Sequence, residues 1–129
     1  MNLKITINSK VFKVDLQDNA TAKAFKELLP LTLDMKELNS NEKYAELSES
    51  LPVNASIPGT IQNGDLMLYG SNVVVLFYKT FSTSYAYTKI GNVDHADDLA
   101  DALADALGSD NVLVKFESDS PYETVYNEK

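Results

Sequence analysis

The sequence predicts a mainly β domain: a closed antiparallel β-barrel of about eight strands, with two short helices capping it. Short segments of alternating or β-branched residues recur along the chain, and turns rich in Gly, Asn, Ser and Pro separate them. Only two segments have helical periodicity, and they do not alternate with the strands as they would in a parallel βαβ fold. Closure into a barrel would also remove the exposed edges of such a sheet.

The strand segments share a period-two pattern or a run of β-branched and aromatic residues, both of which fit a pleated sheet. In chain order they are residues 3–7, 11–16, 31–35, 42–47, 60–62, 66–69, 73–78, 85–90 and 112–116. The piece over residues 60–62 is short because the turn pairs Pro58-Gly59 and Asn63-Gly64 enclose it. The run over residues 73–78 lacks polar alternation, which predicts that both of its faces are covered.

The first helix is predicted over residues 20–29, where the apolar side chains fall on one face. Asn19 or Thr21 can cap its N-terminus, because either side chain can accept a hydrogen bond from the first free backbone N–H groups. Pro30 ends the segment, since the residue before a proline is disfavoured in the helical conformation.

The second helix is predicted from about residue 95 to residue 107, with Asp94 as its N-cap and Gly108 closing its C-terminus. It carries a stripe of Leu and Ala on one face. After one more strand the sequence becomes polar and loses its pattern. We therefore predict a barrel domain over residues 1–117 and a polar C-terminal tail over residues 118–129.

The composition excludes several classes of function. The chain has 129 residues and no cysteine, so disulfides, thiolate metal sites and a cysteine nucleophile are impossible. A net charge of -8 argues against binding to nucleic acid, whose phosphates need clustered cations. The chain has no apolar run of about twenty residues, which predicts no membrane partner. We expect a soluble cytoplasmic protein, or an exported one if Met1 replaces a leader.

Neither a catalytic constellation nor a metal site emerges from the sequence. The aspartates of the second helix, Asp97, Asp98, Asp101 and Asp105, lie mostly opposite its leucines and predict a solvated face. His95 is the only histidine and has no partner ligand near it in the sequence. We expect no metal and no cofactor.

A resemblance to a known family begins at residues 57–65, IPGTIQNGD. This segment is similar to the cyclophilin sequence that reads I-P-G and then Q-G-G-D, with one residue fewer between the two halves. Together with LLPLTLDM, NEKYAEL, GTIQNGDLMLYG and the late helix, it makes the chain resemble the bacterial cyclophilin-like fold proteins from residue 1 to about residue 117. The resemblance implies a cyclophilin-like β-barrel.

Cyclophilins catalyse cis/trans isomerisation of prolyl bonds, and the resemblance implies an arginine just before the I-P-G segment. Alignment on the two halves of the segment places Ala55 or Asn54 at that position. All 11 basic residues of the chain are lysine, so no guanidinium is available anywhere. Gln62 matches the glutamine that holds substrate backbone, whereas Thr60 stands where the family has an apolar residue. The family's pocket tryptophan has no counterpart.

The candidate ligand-binding residues combine this resemblance with a dense group of aromatic residues. They are Gln62, Thr60, Phe81, Tyr85 and Tyr87. Tyrosine suits the wall of a pocket because it offers an apolar body and a polar tip. An alternative remains open for each of them: Gln62 can cap a turn, and the aromatic side chains can be ordinary barrel surface or core.

We therefore predict a cyclophilin-like binding or accessory domain without isomerase activity, whose ligand is a peptide or a small molecule. One alternative is a weak peptidyl-prolyl isomerase in which Gln62 acts with a lysine or tyrosine in place of arginine. Another is an accessory module of a flavodoxin-like redox protein, because the resembling bacterial domains are found beside such proteins.

Overall fold

The computed structural model describes residues 1–104 and 111–119 and contains a closed barrel of antiparallel strands. Its strands are β1 (Asn2–Ile7), β2 (Lys10–Leu16), β3 (Leu31–Leu38), β4 (Glu42–Glu46), β6 (Asp65–Tyr69), β7 (Val73–Phe77), β9 (Thr88–Val93) and β10 (Asn111–Ser118). β5 (Thr60–Ile61) and β8 (Phe81–Ser82) form a separate two-stranded sheet. The order around the barrel is β1-β10-β3-β4-β7-β6-β9-β2, and β2 pairs back with β1. The predicted closed antiparallel barrel is confirmed.

The first helix, α1 (Ala20–Lys26), begins after Asn19, whose side-chain oxygen accepts a hydrogen bond from the backbone N–H of Ala22 at 2.7 Å. Of the two predicted caps, Asn19 is therefore the one that is used. Phe25 of α1 is fully buried and meets Phe116 of β10 edge to face, with ring centroids 5.4 Å apart. This contact packs the helix against side chains of the barrel interior.

The second helix, α2 (Leu99–Ala104), follows a 3-10 turn over Ala96–Asp98. The prediction of Asp94 as its cap is wrong, because the turn starts from His95, which has a left-handed φ of 53° and makes no side-chain cap bond. The predicted continuation to residue 107 and the glycine at 108 lie outside the described residues. No helix in the described part of the chain has the length and apolar character needed to span a membrane.

Several other predicted boundaries differ from the structure, among them the end of the first helix, which stops at Lys26 instead of residue 29. The strand predicted over residues 85–90 starts only at Thr88, because the preceding residues cross the outer face of the barrel; Tyr87 forms an isolated bridge to Ser56. Of the tail predicted over residues 118–129, Ser118 is still part of β10 and Asp119 follows it, while the rest lies outside the described residues.

The barrel wall separates two groups of buried side chains. Val74 and Leu76 of β7 point into the large interior cluster, whereas Val75 and Phe77 of the same strand belong to a second cluster. Successive side chains of a strand point to opposite faces, so the second cluster lies on the outside of the wall. Its buried members are Ile61, Met67, Val75, Phe77 and Tyr87. Both faces of β7 are therefore covered, as its missing polar alternation predicts.

Candidate functional site

An open groove of about 590 Å³ lies on the outer face of the barrel, next to the second cluster. Its volume falls in the range of small-molecule sites, which is roughly 300–1,000 Å³. Five aromatic side chains line it: Tyr44, Tyr69, Phe81, Tyr85 and Tyr87. Leu38, Val73 and Val75 add aliphatic surface, and the polar lining includes Glu42.

Strands β4 and β7 form one side of this groove through their pairing. Tyr44 of β4 lies opposite Val75 of β7, and Glu42 lies opposite Phe77. Because residues two apart in a strand share a face, Glu42 and Tyr44 both point outward. The pairing of β6 with β7 places Tyr69 opposite Val73 on the same face.

The segment from Phe81 to Tyr87 forms the facing wall, and backbone hydrogen bonds hold it in place. Tyr87 and Ser56 exchange two bonds, of 2.9 and 3.0 Å, and the backbone N–H of Thr83 donates to the carbonyl of Gly59 at 2.9 Å. Both partners belong to the long loop that precedes β5. The loop therefore positions the wall.

Aromatic rings of the groove and of the second cluster behind it form a connected series. Tyr69 contacts Tyr85 and Tyr87, with centroid separations of 6.4 and 5.7 Å. Phe77 contacts Tyr87 at 5.5 Å and Phe81 at 5.6 Å. These separations are typical of favourable aromatic pairs. The wall is consequently a preformed aromatic surface.

Glu42 is the one charged residue among the described residues that line the groove. Its exposed fraction is only 7%, and no described residue forms a hydrogen bond or ion pair with its carboxylate. Burial, together with the negative charge of Glu37, raises the pKa of Glu42 to about 7. Burial and the nearby charge of Glu42 also raise the pKa of Tyr87.

A second polar group lies beside Glu42. Lys43 forms an ion pair with Glu37 at 3.2 Å, and its side chain is only 6% exposed. The Tyr78 hydroxyl donates a 2.6 Å hydrogen bond to the same Glu37 Oε1 atom that Lys43 contacts. Burial, followed by the bond and charge of Glu37, raises the pKa of Tyr78. Glu37 therefore has three partners, because its Oε2 atom also accepts a hydrogen bond from the backbone N–H of Ser40 at 2.7 Å.

The structure brings together three of the five predicted ligand-binding residues. Phe81, Tyr85 and Tyr87 line the groove. Thr60 and Gln62 do not line it: both are exposed, Thr60 pairs with Ser82, and the backbone N–H of Gln62 donates to Asp65 at 2.8 Å. That these residues bind a ligand stays a prediction.

The sequence reasoning missed Glu42, Tyr44 and Tyr69. The alternation in β4 places Glu42 and Tyr44 on one face, but that face is covered by residues about forty positions away, which no local pattern indicates. Among residues 1–104 and 111–119, no group of three or more His, Asp or Glu side chains is placed to hold a metal ion.

Comparison with known proteins gives a family and two similar structures. A family model described as "Cyclophilin-like family" matches residues 5–117. The solution structure of the hypothetical protein AF2241 from Archaeoglobus fulgidus has a TM-score of 0.58 and 18% identity, covering 92% of this chain and 94% of that one. No curated protein matches the sequence significantly.

The structure of McbB in complex with tryptophan is also similar, with a TM-score of 0.65 and 15% identity. The likeness covers 92% of this chain but only 45% of McbB, so this chain corresponds to less than half of that protein. At these identities both structures support the fold alone.

Proposed function

The chain belongs to the cyclophilin-like family, and from that premise we propose that it is a binding domain whose outer groove takes a ligand with an aromatic or other flat apolar group, without isomerase activity. The observation that carries the proposal is the groove of about 590 Å³ with its connected aromatic wall. Flat rings stack well on such a wall, and preformed walls cost little ordering on binding.

The absence of arginine supports the proposal that the domain has no isomerase activity. All 11 basic residues are lysine, and a lysine ammonium lacks the planar fork with which a guanidinium acts on an amide. The position of Gln62 is a further argument, since it does not line the aromatic groove. A prolyl peptide lying in the groove would therefore not reach Gln62, the residue that the cyclophilin resemblance implies for holding the substrate backbone.

Indole compounds are suitable first probes of the groove. McbB was solved in complex with tryptophan, which makes an indole ring a reasonable choice of flat ligand. The present chain contains no tryptophan, so indole fluorescence excited where tyrosine does not absorb reports the ligand alone. Binding of tryptophol, a neutral indole alcohol, is expected to raise its fluorescence anisotropy.

The matched variants are Tyr85→Ala and Leu113→Ala. Both side chains are 64% exposed, but only Tyr85 lines the groove. We expect Tyr85→Ala to weaken tryptophol binding by about five- to tenfold, the effect of losing one aromatic contact of roughly 1 kcal/mol. Leu113→Ala should leave it unchanged. Equal loss in both variants, or no binding by the wild type, would contradict the proposed groove.

Isomerase activity is tested separately with a proline-containing peptide. The expected result is a cis/trans rate equal to the uncatalysed rate, whose barrier is ~20 kcal/mol. Acceleration that disappears in Gln62→Ala would instead identify a weak isomerase with Gln62 in its active site. That result would leave the binding measurements with tryptophol unaffected, so the two halves of the proposal are tested independently.

A further inference from the structure

Glu42 is an unusual residue for an aromatic groove. The residue is only 7% exposed, its carboxylate has no hydrogen-bond or ion-pair partner among the described residues, and it lies opposite Phe77 in the wall. An ionised carboxylate without a partner is costly to bury, and buried charges in proteins are normally paired. Within the described part of the chain, the groove therefore presents a negative group whose counter-charge is not supplied by the protein.

The nearest candidate for that counter-charge is used elsewhere. Lys43 is adjacent to Glu42 in β4, but adjacent side chains of a strand point to opposite faces. Lys43 forms its ion pair with Glu37, which is opposite it in the register of β3 and β4. Neither Lys43 nor any other lysine lines the groove in the described residues.

The aromatic wall suits a positive ligand for a second reason. The faces of tyrosine rings carry partial negative charge, and an ammonium group is attracted to them, most strongly where water is excluded. Tyr87 lies close enough to Glu42 for the carboxylate charge to affect its hydroxyl. Tyr69 contacts Tyr87 and extends the wall outward. A carboxylate beside such rings is the chemistry that recognises organic ammonium ions.

We infer that the ligand of the groove is a small organic cation, an aromatic ring bearing a protonated amine, with its nitrogen beside the Glu42 carboxylate and its ring on Tyr69 and Tyr87. This inference rests on the proposed binding function and adds the charge of the ligand to it. The volume of about 590 Å³ accommodates a ligand of this size. The net charge of -8 additionally favours the approach of cations.

The affinity for such a cation should depend on pH through Glu42. The titratable groups that face or adjoin it are Glu37 on β3, Lys43 and Tyr44 on β4, Tyr78 after β7, and Tyr87 before β9. Of these, Tyr78 and Tyr87 have pKa values that burial raises, so both keep their protons through neutral pH. With the pKa of Glu42 at about 7, most of its carboxyl groups are neutral at pH 6 and ionised at pH 8. Cation binding should therefore be about tenfold weaker at pH 6 than at pH 8.

The test compares tryptamine, an indole ammonium, with the neutral tryptophol in wild type, Glu42→Gln and Glu46→Gln. Glu46 is on the same strand and is exposed, but it does not line the groove. Its variant therefore changes the net charge equally without changing the site. Affinities come from indole fluorescence anisotropy at pH 6 and pH 8.

At pH 8 we expect wild type and Glu46→Gln to bind tryptamine at least tenfold more tightly than tryptophol, a difference of about 1.4 kcal/mol. In Glu42→Gln the preference for tryptamine should be lost, so that the two ligands bind alike. If wild type binds tryptophol but does not prefer tryptamine, or if Glu42→Gln keeps the preference, the inference is overturned and the binding function stands. If neither indole binds, the binding function itself fails and the inference fails with it.

Discussion

At Glu42 the protein keeps a carboxyl group on a face whose strand neighbours are aromatic and aliphatic. Burial disfavours the ionised form, and the adjacent negative charge of Glu37 adds to this effect, so the pKa rises from 4.5 to about 7. In the unfolded chain the same carboxyl group is hydrated and has its ordinary pKa. The free energy of unfolding is therefore lowered at any pH at which Glu42 must be ionised in the folded protein.

The pH dependence of this penalty is a prediction for Glu42→Gln. Below pH 4.5 both states are protonated and Glu42 costs nothing; the cost grows as the pH rises and is complete above about 7. Glutamine carries no charge at any pH. The stability gained by Glu42→Gln should therefore increase by roughly 2 kcal/mol between pH 5 and pH 8, as measured by urea unfolding.

Glu46→Gln is the matched control, because Glu46 is exposed on the same strand. Its effect on the free energy of unfolding should stay nearly constant over this range. A gain for Glu42→Gln that is equally constant with pH would show that the Glu42 carboxyl is not perturbed.

Among the elements, α1 is held at its N-terminus by the amide side chain of Asn19. The Asn19 oxygen caps the helix at Ala22, while the Asn19 nitrogen donates to the carbonyl of Lys89 in β9 at 2.9 Å. One residue thus satisfies a free helix N–H and links the helix to the wall. Phe25 completes the attachment from the other end by packing on Phe116.

Two substitutions of Asn19 separate its two hydrogen bonds. Asn19→Ala removes both and should destabilise the protein by about 1–3 kcal/mol. Asn19→Ser keeps a hydroxyl that can cap the helix but is too short to reach Lys89, so it should lose about half as much. Urea unfolding of both variants measures the difference. Equal losses would mean that the cap at Ala22 contributes nothing to stability.

Secondary-structure elements that are determined by a local sequence pattern could be predicted from the sequence. Leu3, Ile5 and Ile7 alternate with polar residues, and the structure buries all three in β1. The predicted start of the second helix was wrong because His95, in the left-handed conformation, begins the turn. Asp94 is a residue type that often caps helices, but it does not serve as a cap here.

The candidate site could be predicted only in part, because its walls come from distant segments. The aromatic residues Phe81, Tyr85 and Tyr87 are close in sequence, so their density was visible. Glu42 gave no signal, since a glutamate in an alternating strand normally faces water. It faces the groove instead because β4 pairs with β7 and the loop before β5 holds the opposite wall in place.

For the molecule as a whole, closure of the barrel depends on β10, the last strand in the described part of the chain. β10 pairs with β1 on one side and with β3 on the other, and it joins the first strand of the chain to the middle of the sheet. The side chains of β10 alternate between buried and exposed positions. Val114 is fully buried, whereas its neighbour Leu113 is 64% exposed.

These two neighbours give a matched test of closure. Val114→Asp places an unpaired carboxylate in the interior and should abolish cooperative folding, because the cost of several kcal/mol is comparable with the whole stability of a domain. Leu113→Asp puts the same charge on the surface and should change the free energy of unfolding by no more than about 0.5 kcal/mol. Circular dichroism during thermal unfolding distinguishes them. A cooperative, native-like transition in Val114→Asp would show that closure by β10 is not required.

The alternation of inner and outer clusters within single strands has a consequence for how this family can diversify. Val74 and Leu76 pack in the barrel interior, whereas Tyr69 and Tyr85 on the outer face line the groove and remain exposed. Exposed groove positions can therefore be randomised in a library while the buried positions of both clusters are left fixed, and most of its members should still fold. New ligand preferences become accessible to selection with little loss of stability, which offers a physical reason why one fold occurs in proteins that share so few residues.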